Sequence, residues 1–431
     1  MIHTEQSLGD KEKITDSDLH IVEDGLMDFS CEHTSNIPQI LKSLNISLAF
    51  TSYQAGRLMI VRSDGEKLDV NYKSFQRPMG LSVSDKGLTL GVFNQVINFH
   101  RVDDLVDKLK TPLQKIEDDI TAPRIKPKDD SSDQDVRQES VDNIEADDNQ
   151  PPESEAEKAE RLKHQEAFKA YQKKLHEPVD DRVDSCFITR SSHYTGMINL
   201  HDIDWGDEGL WVVNSSFSCL CTLDPDYSFV PRWKPYFITE LVPEDRCHLN
   251  GMTLKDGKPA YVTTFSTYNE VGQWRKGDKF AGTLMDVEHN EILLNGLTMP
   301  HSPRWYQNSV YYCDSGLGKV CKYDPSSGKQ ETVAELQGFT RGMDFYGPIA
   351  FVGTSKVRVG DVLNSPPLAK KYDETFSGLW LLNLDDNSVI GCIKFTGNVE
   401  QIYDVAVIPN GCFPELLEPS HPRLRNHFCI P

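Results

Sequence analysis

The chain has 431 residues and a net charge of −21 at neutral pH, with 38% hydrophobic and 26% charged residues. This acidity argues against nucleic acid or an anionic membrane as a partner, and the low hydrophobic content predicts that part of the chain is disordered. The sequence contains no apolar run near the roughly 18 residues of a membrane span, and its start lacks the pattern of a signal peptide. Its ten cysteines are scattered without a CxxC pair, which is typical of reduced thiols. We therefore expect a cytoplasmic protein.

In chain order, residues 1–45 are predicted to be a partly disordered N-terminal segment. The run "ISLAFTSYQAGRLMIV" at Ile46 begins the strand-rich part of the chain. Residues 46–110 and 185–416 are predicted to form a single domain, followed by a C-terminal tail over 417–431. The first strands are expected to pair either with the last unit of that domain or with strands near 378–395.

Residues 111–184 are predicted to be an acidic insertion in this domain. Residues 111–160 contain 16 acidic and 6 basic residues and have few apolar side chains, which predicts a solvated, disordered segment. An amphipathic helix is expected to follow, because Ala167, Phe168, Tyr171 and Leu175 stand at helical spacing. A tolerated loop insertion is the favoured interpretation, and a docking segment for a protein partner is the alternative.

Outside the insertion, short β-branched and aromatic runs alternate with Gly, Asp, Asn and Pro turns, so we expect an all-β fold. Similar phrases recur along it: "RPMGLSV", "NLHDIDW", "HLNGMTL", "MPHSPRW", "FTRGMDF" and "QIYDVAV". Once the insertion is removed, these units have about the length of one propeller blade. The sequence therefore predicts a β-propeller of about six blades, with each phrase on the innermost strand of its blade.

Polar residues gather at the head of these phrases. Each phrase has one central position, here called its anchor. The six anchors are Gly80, Asp202, Gly251, Ser302, Gly342 and Asp404. The position before each anchor and the position two residues earlier face the same way in a strand. Together these positions hold Met79, His201, Asn250, His301, Arg341, Tyr403, Arg77, Asn199, His248, Met299, Phe339 and Gln401. Because such a polar ring is costly to bury without partners, we expect it to line a functional cavity at one end of the channel.

The residue types indicate three kinds of chemistry. Neutral imidazoles bind zinc and other transition metals, so His201, His248 and His301, with Asp314 nearby, are the predicted ligands of a divalent metal, zinc or calcium. The predicted substrate-binding residues are Arg77, Asn214, Asn250 and Arg341, of which the two arginines suit a carboxylate or phosphate. His201, His301 and Tyr403 are the predicted catalytic residues, because they could move protons. A single histidine at such a position is more often a satisfied structural residue.

Several longer phrases resemble the signatures of an uncharacterised, mainly bacterial family of propeller-like proteins, known as a conserved domain of unknown function. These phrases are "HYTGMINLHDIDW", "PEDRCHLNGMT", "MPHSPRW", "CDSGLGK", "GFTRGMDF" and "FPELL", within residues 46–110 and 185–416. The resemblance implies a shared fold and a shared pocket, with matching residues His201, Asp202, His248, Asn250, His301, Arg341 and Asp404. The acidic insertion departs from the family pattern. The layout is more distantly similar to lactonase and strictosidine-synthase-like propellers, whose channel mouths bind a divalent metal or a small substrate.

Two function classes follow. The first is an enzyme that modifies a small molecule or a peptide end at the channel mouth, with a metal-dependent hydrolase or lyase as the candidate class. The second is a propeller without catalytic activity that binds a ligand or a protein partner. The expected ligand is small and polar or anionic in both cases.

Overall fold

The computed structural model describes residues 27–113, 176–357 and 365–430, together with separate positions between 158 and 173. The chain divides into two compact units, Met1–Lys108 with Asp180–Pro431, and Leu109–Val179. None of the described helices is long and apolar enough to cross a membrane.

The first unit contains the strands and almost all of the regular structure. In chain order the strands are β1 (Cys31–His33), β2 (Ile46–Ser52), β3 (Arg57–Ser63), β4 (Leu68–Ser74), β5 (Leu81–Ser84), β6 (Gly87–Val92), β7 (Gln95–Arg101), β8 (Ser185–Tyr194), β9 (Leu200–Gly206), β10 (Gly209–Asn214), β11 (Cys219–Asp224), β12 (Tyr227–Trp233), β13 (Leu249–Lys255), β14 (Lys258–Thr264), β15 (Gly282–Asp286), β16 (Glu291–Leu297), β17 (His301–Tyr306), β18 (Ser309–Asp314), β19 (Lys319–Asp324), β20 (Lys329–Glu335), β21 (Phe339–Tyr346), β22 (Ile349–Ser355), β23 (Gly378–Asn383), β24 (Ser388–Phe395), β25 (Val405–Pro409) and β26 (Pro414–Leu417). The α-helices are α1 (Ile37–Leu44) and α2 (Val106–Leu109), and short 3₁₀ turns cover Asp103–Leu105, Gln273–Arg275, Ser315–Leu317, Pro367–Lys370 and Pro422–Asn426.

These strands form six sheets, which are the blades of a β-propeller. Six strands each form one edge of a sheet and contact one another in cyclic order: β5, β9, β13, β17, β21 and β25. They are the innermost strands, and each of the six repeated phrases lies on or leads into one of them. The predictions of an all-β, six-bladed propeller and of the phrase register are therefore confirmed.

Strands from both ends of the chain close the ring. Strand β25 is the innermost strand of a blade whose other strands are β2, β3 and β4, with Ile46 opposite Pro409. The expected pairing of the first strands with the last unit is thus the one observed. Two further strands near the chain ends pair with outer strands of other blades. Strand β1 pairs with β24, and β26 runs parallel to β8.

Apolar side chains between neighbouring blades make up the core. Leu48 and Met59 of one blade are completely buried together with Phe351 and Leu379 of the next blade. Each such residue contributes roughly 1.5–3 kcal/mol relative to an exposed side chain. The fold is therefore held by packing between blades, which leaves the channel end of each innermost strand free for polar groups.

The six anchors form a continuous ring around the channel. A Cβ atom on Gly80 would lie 3.2 Å from the Asp202 Cα, and one on Gly342 would lie 2.8 Å from the Asp404 Cα, so glycine permits these close approaches. In the same way, a Cβ atom on Gly251 would lie 3.1 Å from the backbone nitrogen of Ser302. The anchors thus alternate between a glycine and a polar residue.

Hydrogen bonds close the other three contacts in the ring. The Asp404 carboxylate accepts from the Leu81 N–H at 3.0 Å, and the Asp202 carboxylate accepts from the Met252 N–H at 3.1 Å. The Ser302 hydroxyl accepts from the Gly342 N–H at 2.9 Å. Each polar anchor therefore links its own strand to the next blade.

The second unit, Leu109–Val179, holds the predicted insertion. Its described positions between 158 and 173 are helical. Backbone hydrogen bonds join Leu113 to His176 at 3.2 Å and Val179 to Leu109 at 3.1 Å. Most of the acidic stretch, residues 114–157, and the four residues that carried the helix prediction lie outside the described residues.

Candidate functional site

The chain adopts a strained backbone where it enters the innermost strands. Arg77, Asn199, His248 and Met299 occupy the same position of four phrases, and all have a left-handed φ of 46–53°. Such a conformation costs about 1–3 kcal/mol for a residue other than glycine. Its recurrence in four blades turns the following side chains toward the end of the channel, which we call the mouth and define by Arg77, His201, His248, His301, Arg341 and Tyr403.

Ring contacts bring the three predicted histidines and Tyr403 together. The His201 ring centre is 4.7 Å from that of His248 and 5.4 Å from that of Tyr403. Phe265 joins His248 to His301, with ring centres 4.5 Å and 5.0 Å away. The four side chains therefore belong to one cluster contributed by four blades.

The hydrogen bonds of His201 fix its tautomer. Its Nδ1 lies 2.8 Å from the Asn199 carbonyl oxygen and 2.8 Å from the Ser215 hydroxyl. A carbonyl only accepts, and Ser215 gives its own proton to the Leu249 carbonyl. Nδ1 therefore carries the ring proton, and in the neutral ring Nε2 has a free lone pair.

His301 repeats this arrangement two blades away. Its Nδ1 lies 2.9 Å from the hydroxyl of Ser315, which in turn contacts the Cys313 carbonyl, and the ring also bonds to the backbone of Met299. The serine follows its histidine by 14 residues in both blades. His301 therefore also carries its proton on Nδ1 and presents an Nε2 lone pair.

A carboxylate orients His248. The two oxygens of Asp245 lie 3.0 and 3.1 Å from Nδ1 of His248. The same carboxylate accepts from Trp274 Nε1 at 3.1 Å and from Arg275 at 3.3 Å. Trp274 stacks on the His248 ring with centres 3.9 Å apart, so Asp245 joins the loop over residues 265–281 to the mouth.

Burial keeps two of the imidazoles neutral. Desolvation lowers the pKa of His201 and of His301 well below the usual value, and the positive charge of Arg341 lowers both further. A neutral imidazole with Nδ1 protonated can accept a hydrogen bond, take up a proton or bind a metal through Nε2.

Two arginines at the mouth lie against aromatic rings. The guanidinium carbon of Arg341 is 3.4 Å from the centre of the Tyr403 ring, and that of Arg77 is 5.8 Å from the centre of the Phe93 ring. Both side chains are half-buried. Neither forms an ion pair with a carboxylate among the described residues, so their positive charges are available to a ligand.

Two buried polar atoms at the heads of innermost strands lack a hydrogen-bond partner within the described chain. They are the Tyr403 hydroxyl and the side-chain nitrogen of Asn250, in residues that are 4% and 3% exposed. Burial raises the pKa of Tyr403, so its hydroxyl stays protonated. Because unmet buried donors are rare in native proteins, both atoms indicate a place for water or a ligand.

Two predicted site residues serve the turns that follow the second strands. The Asn214 side-chain oxygen accepts from the Phe217 N–H at 3.0 Å. The Asp314 carboxylate accepts from the Thr298 N–H at 2.7 Å, and burial raises the pKa of Asp314 to about 6. The contacts described for Asp314 do not include a histidine ring. In the described part of the chain, no three His, Cys, Asp or Glu side chains stand in an arrangement that could hold a metal.

Arg304 crosses the channel below the mouth. It lies two residues beyond the anchor Ser302 and bonds to Asp202 at 2.8 Å and to Asp404 at 3.1 Å. These carboxylates belong to the blades two places away on either side. The same guanidinium group donates to the Met252 and Met343 carbonyls at 3.2 and 3.0 Å.

Several of these residues were not among the sequence predictions. Ser215 and Ser315 could have been found from their equal spacing after His201 and His301. Asp245 lies in a loop between blades, where no repeat gives a signal. The loop that carries Trp274 and Arg275 is long and aromatic, but nothing in its sequence points to His248.

Comparison with known proteins gives the family but no activity. One similar solved structure is a chain in the crystal structure of a nidogen/laminin complex, with 9% identity and a TM-score of 0.44; the match covers 85% of this chain and 100% of that chain. Another is the computationally designed Ika8 protein, with 7% identity and a TM-score of 0.31; the match covers 84% of this chain and 82% of that chain. A search of curated proteins found no match. The family described as "Domain of unknown function (DUF4915)" matches residues 35–126 and 154–417. The chain therefore belongs to the DUF4915 family.

Proposed function

We propose that the mouth binds a small anionic molecule and carries out acid–base chemistry on it. The observation that carries this proposal is the pair of half-buried arginines, Arg77 and Arg341, without a carboxylate partner among the described residues. Acidic residues outnumber basic ones by 66 to 45 in this chain. An arginine that lacks an acidic neighbour in such a protein is suited to hold an anion supplied by a ligand.

The groups around the arginines support an anion at this position. The charges of Arg77 and Arg341 both act on Tyr403, whose hydroxyl is a protonated donor without a partner in the described structure. A carboxylate or phosphate would accept from the hydroxyl and from a guanidinium group. The low dielectric of a buried site would strengthen these bonds.

The histidines supply the chemistry in this proposal. His201 and His301 are neutral and hold their protons on Nδ1, so each could take a proton from the ligand through Nε2. Arg341 would stabilise negative charge that develops on the ligand. These roles fit a hydrolase or a lyase acting on a small acid.

A bound divalent metal remains part of the proposal. Of the two metals expected from the sequence, zinc suits the imidazole nitrogens of His201, His248 and His301, whereas calcium prefers oxygen ligands. The rings would have to turn toward a common point to hold it. Metal content of the purified protein, with and without chelator, tests this part separately.

Calorimetric titration with succinate and with inorganic phosphate tests the anion site. We expect Arg341→Gln to weaken binding by about 10- to 100-fold, the range for a charge-assisted hydrogen bond. The matched control is Arg232→Gln, which removes the same charge from an exposed strand position. Equal affinity in the two variants, or no binding of either anion to the unmodified protein, would contradict the proposal.

A ligand-binding propeller without catalysis is the second candidate function. The observation in its favour is that Ser215 and Ser315, the hydroxyls beside the rings, are completely buried and already hydrogen-bonded, so neither serves as a nucleophile. Turnover of a bound acid that disappears in His201→Ala and His301→Ala would favour the enzyme. Binding without turnover across a panel of esters, lactones and hydroxy acids would favour the second candidate.

A further inference from the structure

We infer that the ligand of the mouth is a small hydroxylated carboxylic acid, one that carries hydroxyl groups one or two carbons from its carboxylate. This inference rests on the proposed anion site and adds the chemistry of the rest of the molecule. It comes from a contrast between the two sides of the mouth. The histidine side offers hydrogen-bond acceptors, and the arginine side offers donors.

The histidine side of the mouth offers acceptors. His201, His248 and His301 all make their described hydrogen bonds through Nδ1, to partners that accept the ring proton. In the neutral rings of His201 and His301 this leaves two Nε2 lone pairs in one cluster of rings. None of these Nε2 atoms is a fully buried atom without a partner in the described chain, so water can reach them. A ligand hydroxyl that takes the place of this water can donate to Nε2, and such a hydrogen bond contributes about 0.5–1.5 kcal/mol.

The arginine side of the mouth offers donors. Arg77, Arg341 and the Tyr403 hydroxyl can all donate, and the hydroxyl has no described partner. A molecule that fits both sides therefore has acceptor oxygens at one end and donors at the other. A hydroxy acid has this polarity within a few atoms.

The distance between the two sides sets the size of the ligand. The ring centres of His201 and Tyr403 are 5.4 Å apart. A carboxylate bound beside Tyr403 would thus place a hydroxyl on its first or second carbon within reach of His201. His301 belongs to the same cluster of rings through Phe265, so a second hydroxyl would find its acceptor there.

Charge favours hydroxyl groups over an amine. An ammonium group could also donate to Nε2, but it would enter a site that already holds two guanidinium charges without described counter-ions. An amino acid should therefore bind more weakly than the hydroxy acid of the same shape.

The test is calorimetric titration with four acids that share a four-carbon dicarboxylate skeleton: succinate, malate, tartrate and aspartate. Each is titrated into the full chain in the presence of a metal chelator, and then with added zinc. We expect affinity to rise about 3- to 10-fold with each hydroxyl, from succinate through malate to tartrate. Aspartate should bind more weakly than malate.

Two variants connect the preference to the histidines. His201→Ala and His301→Ala should lose the gain from hydroxyls and keep the affinity for succinate, whereas Arg341→Gln should weaken all four acids. Measured melting temperatures identify a variant that fails to fold, and His201→Phe, which keeps the ring volume, then replaces it.

The outcomes separate this inference from the function on which it rests. Equal affinity for succinate, malate and tartrate would overturn the inference and leave the anion site standing. A preference for hydroxyls that appears with zinc alone would also overturn it, because the lone pairs would then belong to a metal. Failure of all four acids to bind would overturn the proposed anion site itself.

Discussion

The guanidinium carbon of Arg341 lies 3.4 Å from the centre of the Tyr403 ring. A cation over an aromatic face gains about 0.5–2 kcal/mol, and it keeps its hydrogen-bond donors at the edge of the group for other partners. Tyr403 thus holds the arginine in place without neutralising its charge. Arg341 therefore keeps donors that the proposed anion could accept from.

Tyr403→Phe separates a binding role from a structural one. The Tyr403 hydroxyl has no partner in the described chain, so its removal should leave the melting temperature unchanged within about 2 °C. Affinity for succinate should fall about 3- to 10-fold, because a protonated donor is lost from the site. A large loss of stability with unchanged affinity would mean that the hydroxyl supports the fold instead.

Arg304→Met should destabilise the protein by about 3–5 kcal/mol at neutral pH, since it leaves two buried carboxylates without their counter-ion. Burial already raises the pKa of Asp404 above its usual value. When the pKa of a carboxyl group is higher in the folded than in the unfolded chain, the free energy of unfolding decreases as the pH rises toward the folded pKa. It increases again as the pH falls. The deficit of the variant should therefore shrink toward pH 5 in urea unfolding experiments, whereas a pH-independent deficit would show that packing dominates.

The neutral histidines predict how stability depends on pH. Because the pKa of His301 is lower in the folded chain than the usual value near 6.5, the unfolded chain takes up the proton first. Stability should then fall below pH 6.5 by up to about 1.4 kcal/mol per pH unit for each such ring. His301→Gln should flatten this slope.

An exposed histidine provides the control for that slope. A hydrogen bond to Asp286 raises the pKa of His289, so its protonation favours the folded chain as the pH falls. His289→Gln should therefore steepen the acid loss of stability. Identical slopes in both variants would contradict the assignment of His301 as a buried neutral ring.

Asp245→Asn should change the tautomer of His248 while keeping its position. An amide can donate to Nδ1 as well as accept from it, so the ring proton would shift in part to Nε2. Nitrogen chemical shifts of the labelled imidazole measure this directly, and affinity for malate should fall with it. Glu244→Gln, a change in the same loop at a residue that pairs with Arg246, should leave both unchanged.

Replacing residues 114–157 with a short Gly-Ser linker should leave the melting temperature within a few degrees. Strands β7 and β8 pair directly, with Arg101 opposite Phe187, so the blade is complete on either side of the insertion. Shortening a loop changes its closure entropy only slowly with length. Loss of folding in this variant would show that the acidic segment contributes to the core.

The repeated phrases predicted the fold well because each blade packs apolar side chains against its neighbours and places polar side chains at the head of its innermost strand. A phrase with a polar head, a central Gly, Ser or Asp anchor and apolar residues after it marks an innermost strand, and all six phrases did so. The anchors themselves have a physical role that spacing alone did not reveal. They alternate between close backbone contacts and side-chain hydrogen bonds around the ring.

The candidate site was only partly readable. His201 and His301 stand in equivalent phrases, so the sequence placed them together, and their serine partners repeat with them. Asp245 and Trp274 come from loops that join or interrupt blades, and loops of this kind carry no periodicity. Arg304 meets its two carboxylates 102 and 100 residues away in sequence, across a channel whose geometry exists only after folding.

The Arg304 bridge ties together blades that are not neighbours. One guanidinium group bonds to Asp202 and Asp404 and to the Met252 and Met343 carbonyls, so it joins five of the six blades beneath the mouth. A shift of any of these blades would change the bonds that Arg304 makes to the others. The residues of the mouth therefore stand above a shared support, and their relative positions depend on one side chain that contacts none of the histidine rings in its described bonds.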